Sequence, residues 1–317
     1  MPLLLGLCAW PHPAFSQATP SQPAPNPADP EADFQLGKKY DTGNGVPRDD
    51  AQAAKWYLKA AGEGSMKAQN NLAVLYHLGH GVPKDEKQAA KWLEKAADQG
   101  SARAQVNLAV EYLTGAGVPK DLKQAVAWYE KAATQGDPIA LGQLTGIYYA
   151  GGEGVPRDLA ACATWARKGA NLGVAACENT LASLYQRGLG GLPVDPAAAV
   201  EWYRKAAANG NGIAQFRMGE FYRLGILGFK KDNPTAFMWY RMSADNGEPL
   251  ATTLLKDEKV IFTPEEIEKG TQLLTRYWAA KQSQSRASPP QAAQASSTLP
   301  PATAPGTQSI TNTAATP

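Results

Sequence analysis

Three cysteines and three histidines in 317 residues leave little material for metal or nucleophile chemistry. His12 stands near the N-terminus, and His77 and His80 have no other histidine or cysteine around them. A zinc centre built from imidazole and thiolate needs such neighbours, so no metal and no other cofactor is expected. Neither charge sign is in excess, with 31 Lys plus Arg against 29 Asp plus Glu. Charges of both signs alternate along the chain as on solvated faces, which argues against a nucleic-acid partner. No apolar run is long enough to cross a bilayer, so no integral membrane segment is expected in the mature chain. A Gly-x-Ser-x-Gly elbow and a Ser-x2-Lys pair are both absent. No catalytic residue is therefore assigned, and the chain reads as a non-enzyme.

What the chain does have is a period. Trp56, Trp92, Trp128, Trp165, Trp202 and Trp239 follow one another at 36, 36, 37, 37 and 37 residues. Tyr40, Tyr76, Tyr112, Tyr148, Tyr185 and Tyr222 precede them by sixteen or seventeen. A period of this length marks stacked supersecondary units that cannot bury their apolar faces alone. Within the second unit Ala68, Leu72 and Tyr76 lie on one helical stripe, and Ala89, Trp92, Leu93, Ala96 and Ala97 form another. Gly79 suits the left-handed end of the first helix, and Pro83 keeps it from resuming. Asp85 then starts the second helix, with Gln88 placed for a capping box; Asp49 with Gln52 and Asp121 with Gln124 repeat the pair. Asp195-Pro196 varies the start with proline at the first helical position. Loops such as Gly79-His-Gly81 follow helices rather than strands, and the proline two positions on removes an N–H, so they read as turns and not as phosphate cradles.

The recurring string is Ala-x3-Leu-Gly/Ala-x2-Tyr-x2-Gly-x-Gly-Val-Pro-x-Asp-x3-Ala-x2-Trp-Tyr-x-Lys-Ala-Ala-x2-Gly. On it the chain resembles the Sel1-like repeat, a relative of the tetratricopeptide repeat with a longer loop between its helices. Units are placed at 32–64, 68–100, 104–136, 140–173, 177–210 and 214–247, with a partial seventh at 251–257. The fourth inserts a glycine in Gly151-Gly152-Glu153-Gly154, and the fifth and sixth also depart in the loop. The resemblance implies an all-α fold, a right-handed superhelical α-solenoid of about six to seven helix-turn-helix repeats. It also implies protein–protein scaffolding with no shared reaction, although hydrolysis of cell-wall or β-lactam substrates is ascribed to some cysteine-rich relatives.

Cys162 and Cys177 each stand where other units have alanine, so both read as packing residues. Some exported relatives carry a disulfide in each repeat. The position that would pair with Cys177 is Ala170 here, and Cys162 lies about 12 Å further along the helix by its rise, beyond the reach of a disulfide. Both thiols are expected free.

After the seventh unit, Thr263-Pro264-Glu265-Glu266 opens a capping helix placed at 258–281, with Ile267, Leu274, Tyr277 and Trp278 on its apolar face. Residues 19–30 and 282–317, rich in Pro, Ala, Ser, Thr and Gln, read as a disordered linker and tail. Residues 1–18 read as a signal peptide, with the apolar run 3–10 and small residues near Ser16 and Ala18. The leader lacks a basic start. Its removal would place the protein in the periplasm or outside the cell, and its retention would leave a cytoplasmic regulatory adaptor.

In tetratricopeptide repeats the first helix of each unit lines the concave surface. Carrying that orientation over by the resemblance gives a lane for a protein or peptide partner. Its residues are Phe34, Gln35 and Lys38; Lys67, Asn70, Asn71, Val74 and His77; Arg103, Val106, Asn107, Val110 and Leu113; Gln143 and Tyr149; Asn179, Ser183 and Arg187; and Phe216, Arg217, Glu220 and Arg223. Amides there can bond a peptide backbone, and cations can meet carboxylates.

Overall fold

A computed structural model describes residues 29–287. The expected signal peptide and most of the expected linker and tail lie outside the described residues. Among the described residues there are fifteen helices and no strand. The first twelve pair into six helical hairpins: α1 (Pro30–Thr42) with α2 (Asp50–Gly62), α3 (Met66–Leu78) with α4 (Glu86–Asp98), α5 (Ala102–Thr114) with α6 (Leu122–Thr134), α7 (Pro138–Ala150) with α8 (Leu159–Asn171), α9 (Ala175–Arg187) with α10 (Pro196–Ala208), and α11 (Gly212–Leu224) with α12 (Asn233–Asp245). Each of the twelve is thirteen residues long. The fold is thus an all-α solenoid, as expected. It begins slightly early, because Asp29 caps α1 with its side chain and Pro30 supplies the first helical residue.

The expected helix ends are present, with one revision. Asp49, Asp85 and Asp121 accept hydrogen bonds from the backbone N–H of Gln52, Gln88 and Gln124 at 3.0–3.1 Å. The reciprocal half of the capping box is replaced. The backbone N–H of each cap aspartate donates to the carbonyl of the motif tyrosine, Tyr40, Tyr76 or Tyr112, at 2.9–3.0 Å. The same bond recurs from Asp158, Asp195 and Asp232 to Tyr148, Tyr185 and Tyr222. It closes the loop between the two helices, so the Tyr-to-Asp spacing sets the hairpin geometry. The inserted glycine of the fourth unit is absorbed inside that closure by a bridge between Gly152 and Val155.

The small-residue slots are fully buried except at Ala32, which is exposed in the first unit. Ala53, Ala89, Ala125, Ala199 and Ala236 share one slot with Cys162, and Ala68, Ala104, Ala140 and Ala214 share the other with Cys177. Both cysteines are free. They converge on Thr145 of α7, whose carbonyl accepts from Cys162 Sγ at 3.4 Å and whose hydroxyl lies 3.5 Å from Cys177 Sγ. The larger sulfur of Cys177 is accommodated by Gly169, where the neighbouring units carry Ala60, Ala96, Ala132 and Ala206; a Cβ at Gly169 would overlap it.

Between units runs a ladder of buried amides that satisfies helix C-terminal carbonyls. Gln69, Gln105 and Gln215 donate to the carbonyls of Ala61, Ala97 and Ala207 at 2.9–3.1 Å. Each accepts in turn from Gln99, Gln135 or Asn246 in the next cap. These ties lock successive hairpins in register, because a buried amide left unpaired would cost on the order of 1–3 kcal/mol.

The tryptophans are less buried than their spacing suggests. Only Trp128 is buried, at 9% exposure, whereas the residue after each tryptophan is deep in the core: Tyr57, Leu93, Tyr129, Ala166, Tyr203 and Tyr240. A lysine three residues on covers the outer face of five indoles, with Nζ 3.5 Å from the ring centroid of Trp128 and 4.1 Å from that of Trp92. In the sixth unit Met242 takes the lysine's place, and Tyr277 of α15 (Pro264–Ala287) packs against Trp239, centroids 6.1 Å apart.

That helix is the cap. Its Thr263–Glu266 box is complete, with Thr263 N–H donating to Glu266 at 2.8 Å and Glu266 N–H donating to Thr263 Oγ1 at 3.2 Å. Gly270 lets it approach Phe237 and the Pro234 carbonyl. Two short helices, Pro249–Lys256 (α13) and Glu258–Ile261 (α14), precede it. Of its expected apolar face, Ile267, Leu274 and Tyr277 are half-buried, while Trp278 points largely to solvent at 40% exposure.

Candidate partner-binding surface

Three of the four tyrosines that follow a tryptophan cross the core and bond their hydroxyls to first-helix side chains. Tyr57 Oη donates to Asp41 of α1 and accepts from Asn71 of α3, both at 3.1 Å. Tyr203 Oη donates to Gln186 of α9 at 3.0 Å. Tyr240 Oη donates to Glu220 at 2.9 Å and accepts from Arg223 at 3.1 Å. Consecutive first helices also touch directly. Lys67 reaches Glu31 at 3.4 Å, Asn107 donates to Asn70 at 3.0 Å, and Arg187 donates to the Tyr149 hydroxyl at 3.3 Å. These contacts join α1 to α3, α3 to α5 and α7 to α9, and tyrosine hydroxyls hold several side chains of the first helices in place.

The expected lane residues divide by burial. Lys38, Lys67 and Arg187 are exposed, and Asn71, Val74, His77, Arg103, Val110, Gln143, Asn179, Arg217 and Arg223 are half-buried. Asn70, Val106 and Asn107 are corrected. They are 2%, 3% and 1% exposed, the two asparagines bonding each other across units and Val106 packing in the main core cluster. They hold units together and cannot meet a partner; Phe34 and Leu113 are buried too. An asparagine at a repeat junction is indistinguishable by type from one on a binding surface. The pairing over 37 residues that separates the two cases is a tertiary fact.

His77 differs from the sequence reading in its company. Its Nδ1 lies 2.6 Å from Glu86 Oε2, at the start of α4, and 3.6 Å from Glu111 Oε1 on α5. Lys84 holds the other oxygen of Glu86 at 2.9 Å. Glu111 is 1% exposed, and neither of its carboxylate oxygens has a hydrogen bond. Burial first, and the nearby Glu86 charge second, push its carboxyl up to about 8. Histidine and cysteine positions within one unit do not reveal this group, because one of its carboxylates comes from the next unit.

Six helical hairpins joined by tyrosine-to-aspartate loop closures and ending in a dedicated helix define a helical-hairpin repeat protein. The chain matches the Sel1 repeat over residues 30–65, 67–101, 102–137, 140–174, 175–211 and 212–248, and it belongs to that family. It is similar to c5321, a protective antigen present in uropathogenic Escherichia coli strains displaying an SLR fold. The two are 37% identical, with a TM-score of 0.66, over 77% of this chain and 54% of the antigen, so the chain spans about half of that protein's length. A Sel1 repeat protein from Oxalobacter formigenes is 35% identical over 68% of this chain and 85% of its own, with a TM-score of 0.59. A search of curated proteins gave no match. Proteins of this family are generally protein-interaction scaffolds and typically lack catalysis. No described helix is long and apolar enough to cross a membrane.

Proposed function

We propose that this protein is a non-catalytic scaffold that holds an extended, acidic peptide segment of a partner protein along its first-helix surface. One observation carries the reading: Asn71, Gln143 and Arg217 hold the same register in the second, fourth and sixth units and remain half-exposed, with Arg103 and Arg187 beside that row. A repeated row of amides and guanidinium groups suits a peptide backbone with carboxylates at intervals. Asn71 and Arg187 are already held by hydrogen bonds to the Tyr57 and Tyr149 hydroxyls, which lowers the ordering cost of binding there.

The reading is tested by selecting peptides from a random display library and titrating them by calorimetry. Peptides rich in Asp and Glu are expected, and Asn71→Ala, Arg187→Glu and Arg217→Glu together should weaken them at least about tenfold, roughly 1.4 kcal/mol. Unchanged binding by a variant with wild-type helicity would overturn it. The hydrolase alternative gains no support, since burial holds the Cys162 thiol up at about 12 and raises that of Cys177. We place the scaffold in the bacterial envelope on the strength of the leader 1–18. Mass spectrometry of the mature N-terminus should find residues 1–18 removed, and an intact leader would return the protein to the cytoplasm.

A further inference from the structure

We infer that His77, Glu86 and Glu111 form a zinc-binding site at the junction of the second and third units. The inference starts from where the three residues stand in the repeat. Glu111 occupies the position before the motif tyrosine, which is Leu75, Ile147, Leu184 and Phe221 in the second, fourth, fifth and sixth units. Leu75, Leu184 and Phe221 are buried there at 4%, 0% and 2% exposure. At the junction of the fourth and fifth units the same three positions are Tyr149, Leu159 and Leu184, which pack together in an apolar cluster. The Glu111 position is thus apolar in four of the other five units, and at this junction a carboxylate fills it and faces an imidazole and a second carboxylate.

The geometry adds an independent sign. Glu111 is 1% exposed with both oxygens lacking a hydrogen bond, and the nearest cationic candidate, His77 Nδ1, is 3.6 Å away, beyond hydrogen-bond range. A buried carboxyl with neither oxygen bonded stays neutral at a cost in unmade hydrogen bonds, and a cation that displaces its proton would satisfy the oxygens. One ligand atom from each of the three residues lies within 4.8 Å of the others. Tetrahedral zinc with bonds of about 2.0–2.1 Å places its ligand atoms about 3.3 Å apart, so shifts on the order of an ångström close the site. His77 and Glu86 have side chains 24% and 27% exposed, which gives an ion access from solvent and lets Glu86 turn toward it. One imidazole with two carboxylates favours zinc over magnesium and calcium, which take all-oxygen cages. The ligands come from α3, α4 and α5, so a bound ion would clamp two hairpins together and stabilise the native array by mass action.

The test titrates the full chain with zinc chloride in chelator-stripped buffer, against a chromophoric chelator, and follows thermal unfolding. One zinc per chain at micromolar or tighter affinity is expected, with a rise in unfolding midpoint that magnesium does not produce. Glu111→Leu places at this junction the residue that two other units use, so it should fold. It is expected to bind zinc about 100-fold more weakly and to lose the midpoint rise. His77→Tyr, copying Tyr149, should do the same. Absence of micromolar binding by the wild type, or equal binding by a folded Glu111→Leu protein, would overturn the site.

Discussion

Tyr129→Ala should remove about 3–5 kcal/mol from the stability of the array, while Tyr129→Phe should be neutral or stabilising by up to roughly 1 kcal/mol. The ring explains the first value. Tyr129 is fully buried at the centre of the largest core cluster, so its loss leaves a cavity between the third and fourth hairpins. The hydroxyl explains the second, since it is buried without a hydrogen-bond partner. The positions that Asp41 and Asn71 fill around Tyr57 become Leu113 and Gln143 around Tyr129, which removes the acceptor. Tyr57→Phe is the control, because there the hydroxyl makes two bonds and its loss should destabilise by about 1 kcal/mol. Denaturant midpoints followed by circular dichroism separate the cases. Equal destabilisation by Tyr129→Phe and Tyr57→Phe would mean that the Tyr129 hydroxyl has a partner.

The contrast between these tyrosines shows what the sequence could carry. Helix starts, helix ends and most of the alanine slots were legible, because each depends on residues within one period: Asp before a helix, Gly after it, small residues at fixed offsets. The Thr263–Glu266 box was legible for the same reason, although the helix it opens runs over Pro264–Ala287 rather than 258–281. Depth across units was not. Asn107 and Asn71 share a register, yet Asn107 is buried against Asn70 while Asn71 stays half-exposed beside Tyr57. The period gives a residue's place along its own helix, whereas burial depends on how far the next helix covers it. The same limit concealed the His77 cluster, because Glu111 reaches it from the next unit.

The loop glycines carry the other large effect. Gly45, Gly81 and Gly117 take the same place in the first three units, all with left-handed backbones. Gly81 lies against the carbonyl of Asp50 and Gly117 against that of Glu86, so a Cβ at either would overlap the first turn of the preceding unit's second helix. Gly45 has no preceding unit, and a Cβ there would meet nothing. Gly45→Ala should therefore cost only the left-handed strain, about 1–2 kcal/mol. Gly117→Ala adds an overlap with backbone that cannot rotate away, worth about a further 1–3 kcal/mol. Denaturant unfolding of the two variants should differ by that increment, and equal losses would mean the glycine serves the turn alone. Because the obstructed carbonyl belongs to Glu86, Gly117→Ala should also disturb the His77–Glu86 contact, and zinc should then raise its unfolding midpoint less than that of Gly45→Ala. The second loop glycine thus acts between units: it lets each loop lie on the helix before it, and that contact sets how closely consecutive hairpins stack.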